Sequence, residues 1–162
     1  IVYALDDCHV LKLAKNMKGV AQNTVEGDYG LHDMYDRVIT RVFDLDEDGR
    51  WLISERAVKT TKKRFQAIVG LSLDVVCTYL RKRIGKYKYW SVPPEHEAVV
   101  ASLTDDHPFL GGLTGLMIDF GMPEGDFCRL VSYGEVCRDG KVQIVLTDYG
   151  LTEDVYRSHY AR

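Results

Sequence analysis

Short alternating apolar runs stand at both ends of the chain, and longer apolar stripes at helical spacing fill its middle. Residues 1–5 and 9–14 are strand-like runs about an Asp6-Asp7 turn, and residues 38–44 and 50–55 flank Glu47-Asp48-Gly49 in the same way. A third pair, residues 134–137 and 142–147, meets at Asp139-Gly140, a dipeptide that tolerates positive φ at both turn positions. Three local hairpins predict antiparallel sheet. Helical spacing predicts helices over residues 19–37, 61–83, 94–103, 108–120 and 152–159, with Pro94 and Pro108 suited to first turns. Strands give way to helices just after Glu55. The expected fold is therefore α+β, with a small antiparallel-sheet unit over residues 1–56 and a largely helical one over residues 57–162.

Composition removes several function classes. The 162 residues are 46% hydrophobic and 28% charged, enough apolar content for one packed domain or a small two-lobed one. A formal charge of -3 gives no overall electrostatic reason to bind nucleic acid, and the basic cluster Lys59, Lys62, Lys63, Arg64 reads as a solvated helix face. Cys8, Cys77, Cys128 and Cys137 form no C-x-x-C pair and are expected to be reduced thiols of a cytoplasmic protein. The histidines His9, His32, His96, His107 and His159 never fall at ligand spacing. No run approaches the ~18 apolar residues of a membrane span, and Asp6-Asp7 interrupts a signal-peptide pattern, so neither a membrane nor a nucleic acid is an expected partner. The chain opens on a β-like run without an initiator methionine, and upstream residues, a glycine-rich loop among them, are expected.

One local motif points to calcium. Asp44, Asp46, Asp48, Gly49 and Glu55 satisfy D-x-D-x-D-G-x5-E, with oxygen ligands at loop positions one, three, five and twelve. Against it, Arg50-Trp51-Leu52-Ile53-Ser54 alternates like a strand, Leu52 occupies the ninth loop position, and Val38, Ile39, Thr40 and Val42 are β-branched. An acidic hairpin turn is the expected reading, with a Ca²⁺ site on Asp44, Asp46, Asp48 and Glu55 as the alternative.

Stronger chemistry lies in four separated residues. Val145-Leu146-Thr147-Asp148-Tyr149-Gly150 is an apolar strand delivering an aspartate into an aromatic-glycine turn, and Gly125-Asp126-Phe127 precedes it. That is how kinase-type folds assemble a magnesium-phosphate site. Near the other end, Lys12 sits inside Val10-Leu11-Lys12-Leu13-Ala14, and Glu26 follows in a helix-compatible stretch. The order lysine, glutamate, aspartate, aspartate is the one such a site requires. A second Asp-Phe-Gly triplet, Asp119-Phe120-Gly121, follows a helical run and reads as a helix end with a glycine cap.

These stretches, together with Lys18-Gly19-Val20-Ala21-Gln22-Asn23, Trp51-Leu52-Ile53-Ser54-Glu55, Ser132-Tyr133-Gly134 and Leu151-Thr152-Glu153-Asp154-Val155-Tyr156, resemble the minimal protein-kinase-like proteins of large tailed bacteriophages, distant relatives of aminoglycoside phosphotransferases. The resemblance spans nearly the whole chain, with residues 61–119 matched only in outline. It implies a protein-kinase-like fold: a small antiparallel N-lobe, a reduced helical C-lobe, and ATP with Mg²⁺ in the cleft between them. Lys12 would hold phosphate, Glu26 would orient it, Asp126 would be the catalytic-loop aspartate, and Asp148 would bind magnesium. Glu55-Arg56-Ala57 would be the hinge, with Glu55 and Ala57 against the base. The metal-binding asparagine of the family is replaced by Val131, which leaves Ser132 as the nearby substitute, and only twelve residues follow Gly150. The resemblance thus implies a phage-encoded kinase or phosphotransferase acting in the host cytoplasm. The alternative is a degenerate kinase fold that binds a phage or host protein.

Overall fold

In the computed structural model the structure describes residues 1–31, 35–85 and 92–161. The first sheet takes the order β1 (Val2–Ala4), β2 (His9–Leu13), β4 (Trp51–Glu55), β3 (Val42–Leu45), antiparallel throughout. Its first hairpin closes on Asp6, whose Oδ1 accepts from the backbone N–H of Cys8 at 2.6 Å and of His9 at 2.7 Å. Between β2 and β3 runs α1 (Met17–Gly30), started by Asn16, whose side chain accepts from Gly19 N–H. A second antiparallel sheet has the order β5 (Val58–Lys59), β6 (Tyr133–Arg138), β7 (Lys141–Leu146). Its hairpin turns at Asp139 (φ 51) and Gly140 (φ 72), as that dipeptide predicts.

Helices α2 (Lys62–Val69), α3 (Leu73–Arg83), α4 (Pro94–Ser102), α5 (Pro108–Asp119), α6 (Glu124–Phe127) and α7 (Glu153–His159) complete the α+β architecture. Phe65, Val76, Leu80, Leu110, Leu113 and Leu116 are fully buried where α2, α3 and α5 meet the second sheet. Burial of each such side chain contributes roughly 1.5–3 kcal/mol. Among the described residues no helix is long and apolar enough to cross a membrane.

Three expectations change. The helix expected over residues 61–83 is two helices, because Gly70 takes φ 83 to end α2 and Ser72 caps the start of α3. The helix expected over residues 19–37 begins at Met17 and ends at Gly30; its residues 32–34 lie outside the described residues. The strand expected over residues 38–44 forms only from Val42. Val38 and Ile39, 0% and 1% exposed, turn inward instead and join the two sheets: Leu146 N–H donates to Val38 O at 2.7 Å, and Thr40 N–H donates to Leu146 O at 2.9 Å.

The same geometry bears on the calcium alternative. Asp44 to Glu55 is a β-hairpin, not the loop of a helix pair. Gly49 supplies a turn at φ 68, Asp46 Oδ2 accepts from Arg50 N–H, Asp48 pairs with the Arg50 guanidinium at 2.6 Å, and the Glu55 carboxylate turns away to Arg138. An extended strand carries Glu55 away from the turn, so its carboxylate does not close around the aspartates.

Candidate functional site

A cleft of about 600 Å³ opens between the two sheets. Its roof is β2, whose alternation turns Val10 and Lys12 toward it; its inner wall is α1 through Gln22, Asn23 and Glu26. Glu55, Ala57, Val58 and Lys59 form the connecting edge, and Val131, Tyr133, Thr147 and Asp148 form the floor. Lys15, Lys18 and Lys59 stand around the cleft with Lys12, a cationic lining suited to an anion.

Four of the residues expected in the site, Lys12, Glu26, Ala57 and Asp148, line this one space, with Glu55 on its edge. Lys12 Nζ donates to Glu26 Oε2 at 2.5 Å and to the Thr147 carbonyl at 2.7 Å, tying β2 to α1 and to the end of β7. Glu26 is 3% exposed. Its burial raises its pKa, Lys12 opposes the rise, and the Asp148 carboxylate adds to it. Lys12 thus neutralises Glu26 directly, and a further cation beside Asp148 would relieve the repulsion between the two carboxylates.

Asp148 is exposed at the end of a strand whose Ile144, Val145 and Leu146 are buried. The following turn is fastened to α1. Tyr149 is 3% exposed, and its hydroxyl donates to the Thr40 carbonyl at 2.8 Å with the Glu26 carbonyl 3.3 Å away. Gly150 lies against α1 so closely that a Cβ there would come within 2.4 Å of the Gln22 carbonyl oxygen. Gly30 is equally tight against the Tyr149 hydroxyl, at 2.4 Å. The apolar strand and this close approach hold Asp148 at a fixed distance from Glu26.

Asp126 is placed beside the cleft rather than in it. It sits on α6 and shares a narrow crevice with Asp148, Phe127 and Leu146. Burial and then the Asp148 charge raise its pKa, while Arg129, 3.8 Å away, lowers it. Ser132 is not brought to the cleft: it is buried at 7% exposure in a short 3-10 turn, and its carbonyl accepts from Thr147 N–H at 2.9 Å. Val131, beside it, is 78% exposed on the floor. Of the four residues of the calcium alternative only Glu55 reaches the cleft. Among the described residues no group of three or more histidine, cysteine, aspartate or glutamate side chains is arranged to hold a metal ion. Asp148 is the exposed carboxylate of the cleft that could meet one.

Arg138 and Thr40 carry no local motif. Arg138 is 7% exposed and donates to Glu55 Oε1 at 2.9 Å, to Glu55 Oε2 and to the carbonyls of Asp36 and Ile39, so it locks the edge of the cleft behind Glu55. Strand parity signals it, since Arg138 shares a face of β6 with Gly134 and Val136. Comparison with protein-family models, with curated proteins and with solved structures gave no match.

Proposed function

We propose that this chain is a kinase-like domain that binds a nucleoside triphosphate with Mg²⁺ in the cleft between its sheets. One observation carries the reading: a strand lysine, a buried helix glutamate and a turn aspartate, at positions 12, 26 and 148, meet in one cleft with Lys12 bonded to Glu26. In such a site Lys12 offers charge to phosphate oxygens and Glu26 fixes its direction. Asp148 would hold a magnesium ion, which would neutralise phosphate charge there. Val10, Ala57, Val58 and Val131 give the cleft apolar faces for a flat base. Asp126, next to Asp148 and with a raised pKa, is the group that would orient an acceptor hydroxyl, and Arg129 beside it would meet developing phosphate charge. Magnesium supplies charge neutralisation when bound; the residues supply position.

A second reading has its own observation. Val131 exposes an apolar side chain on the floor where a kinase keeps a second metal ligand, and Ser132 is buried behind it. This favours a module that binds nucleotide and uses the bound state to present a surface to a protein partner, without phosphoryl transfer.

Thermal unfolding with ATP and Mg²⁺ tests the common part. At about 100 times its dissociation constant a ligand adds ~2.7 kcal/mol, which for this size is a rise of roughly 5–11 °C. The rise is expected to vanish in Lys12→Ala. No rise in the wild type would remove the nucleotide reading, and release of ADP from ATP would separate the enzyme from the binding module.

A further inference from the structure

Thr40 at the inner end of the cleft, and Ser54 on the cleft-facing side of the first sheet, carry hydroxyls without a partner among the described residues. Thr40 is 2% exposed and lines the cleft where the chain crosses between the sheets. Its backbone groups are occupied, the N–H by Leu146 O and the carbonyl by the Tyr149 hydroxyl, but its Oγ1 has no partner among the described residues. Ser54 is 1% exposed, lies behind the cleft lining rather than in it, and its Oγ is likewise unpartnered among the described residues. Paired residues of an antiparallel sheet face the same side, and Ser54 pairs with Val10, which lines the cleft. Other polar side chains of this end are committed: Glu55 to Arg138, and the Tyr133 hydroxyl to Phe127 O at 2.8 Å.

Unpaired buried hydroxyls are costly in the free protein, and a ligand that reaches them recovers the cost on binding. We propose that Thr40 and Ser54 form a deep polar subsite that reads the N7 edge of a purine base, with Thr40 as a specificity-determining residue. The inference rests on the nucleotide reading of the cleft. A hydroxyl donates one hydrogen bond and can accept others, and a purine presents N7 as an acceptor beside the amino group of adenine or the carbonyl of guanine. Two hydroxyls meet either neighbour, so the subsite selects for N7 itself. The apolar walls of Val10, Ala57, Val58 and Val131 fix the plane of the ring but cannot choose its edge.

Calorimetric titration of the whole chain with ATP and with 7-deaza-ATP, each with Mg²⁺, tests this. The wild type is expected to bind ATP about tenfold more tightly, since a site built to bond a polar group rejects the analogue that lacks it. Thr40→Val, of equal shape, should bring the two affinities together while its ligand-free melting temperature holds or rises. Ser54→Ala should reduce the preference in the same sense, and it serves if Thr40→Val does not fold. Equal wild-type affinities for the two nucleotides, or an unchanged preference in Thr40→Val, overturn the subsite and leave the nucleotide reading standing. A large fall in the ligand-free melting temperature of Thr40→Val also overturns it, because the hydroxyl would then have a partner. A wild type that binds neither nucleotide overturns both readings.

Discussion

Replacing Arg138 by methionine isolates the pair that closes the back of the cleft. The side chains of Arg138 and Glu55 are 6% and 12% exposed, and the guanidinium serves both Glu55 oxygens and two carbonyls from the segment that crosses between the sheets. Methionine fills much of the volume but donates nothing, so the Glu55 carboxylate stays buried without a counter-charge. Removing one partner of a buried pair costs about 3–5 kcal/mol. Against a total of about 5–15 kcal/mol for a natural domain this is a large share. At roughly 2–4 °C per kcal/mol, the melting temperature should fall by about 6–20 °C. Urea unfolding followed by circular dichroism gives the free energy directly. The double variant Glu55→Gln with Arg138→Met leaves no buried charge and should recover part of the loss. A loss below ~1 kcal/mol in Arg138→Met would place the pair among solvent-exposed ones and refute the reasoning. A double variant no more stable than the single one would show that packing, not an uncompensated charge, set the cost.

Two further predictions concern the cleft. Because the pKa of Glu26 is raised above 4.5 in the fold, the native state holds its proton more tightly; the stability it contributes is present at acid pH and is lost as pH climbs through the raised value. Glu26→Gln should therefore melt higher than the wild type at pH 7 and flatten that slope, while the gain with ATP and Mg²⁺ shrinks; a lower melting temperature at pH 7 would mean that the bond to Lys12 outweighs burial. Gly150→Ala forces a Cβ to within 2.4 Å of the Gln22 carbonyl and should cost about 1–3 kcal/mol and displace Asp148, whereas Gly125→Ala, with nothing within 4 Å, should be nearly silent in the same unfolding assay.

Local chemistry was legible in the chain by itself. The turn at Asp139-Gly140 and the register it sets, the proline starts of α4 and α5, and the glycine end after Asp119 all follow from φ preferences and capping, which act over a few residues. The alternation from Trp51 to Ser54 was legible as a strand, because a strand and its hairpin are also local matters. Even so, periodicity alone joined α2 to α3, since an apolar stripe continues across Gly70 and only the backbone angle at that glycine breaks it. The fold decided what depended on distance along the chain. Glu55 and Arg138 are 83 residues apart and Lys12 and Thr147 are 135 apart, so no sequence spacing announces that they meet. It was likewise the burial of Val38 and Ile39 that carried Thr40 to the inner end of the cleft, and the packing of Tyr149 and Gly150 on α1 that set Asp148 beside Glu26. Hairpins and caps are determined by neighbours, whereas a cleft is determined by which surfaces the core can bring together without leaving polar groups unpaired.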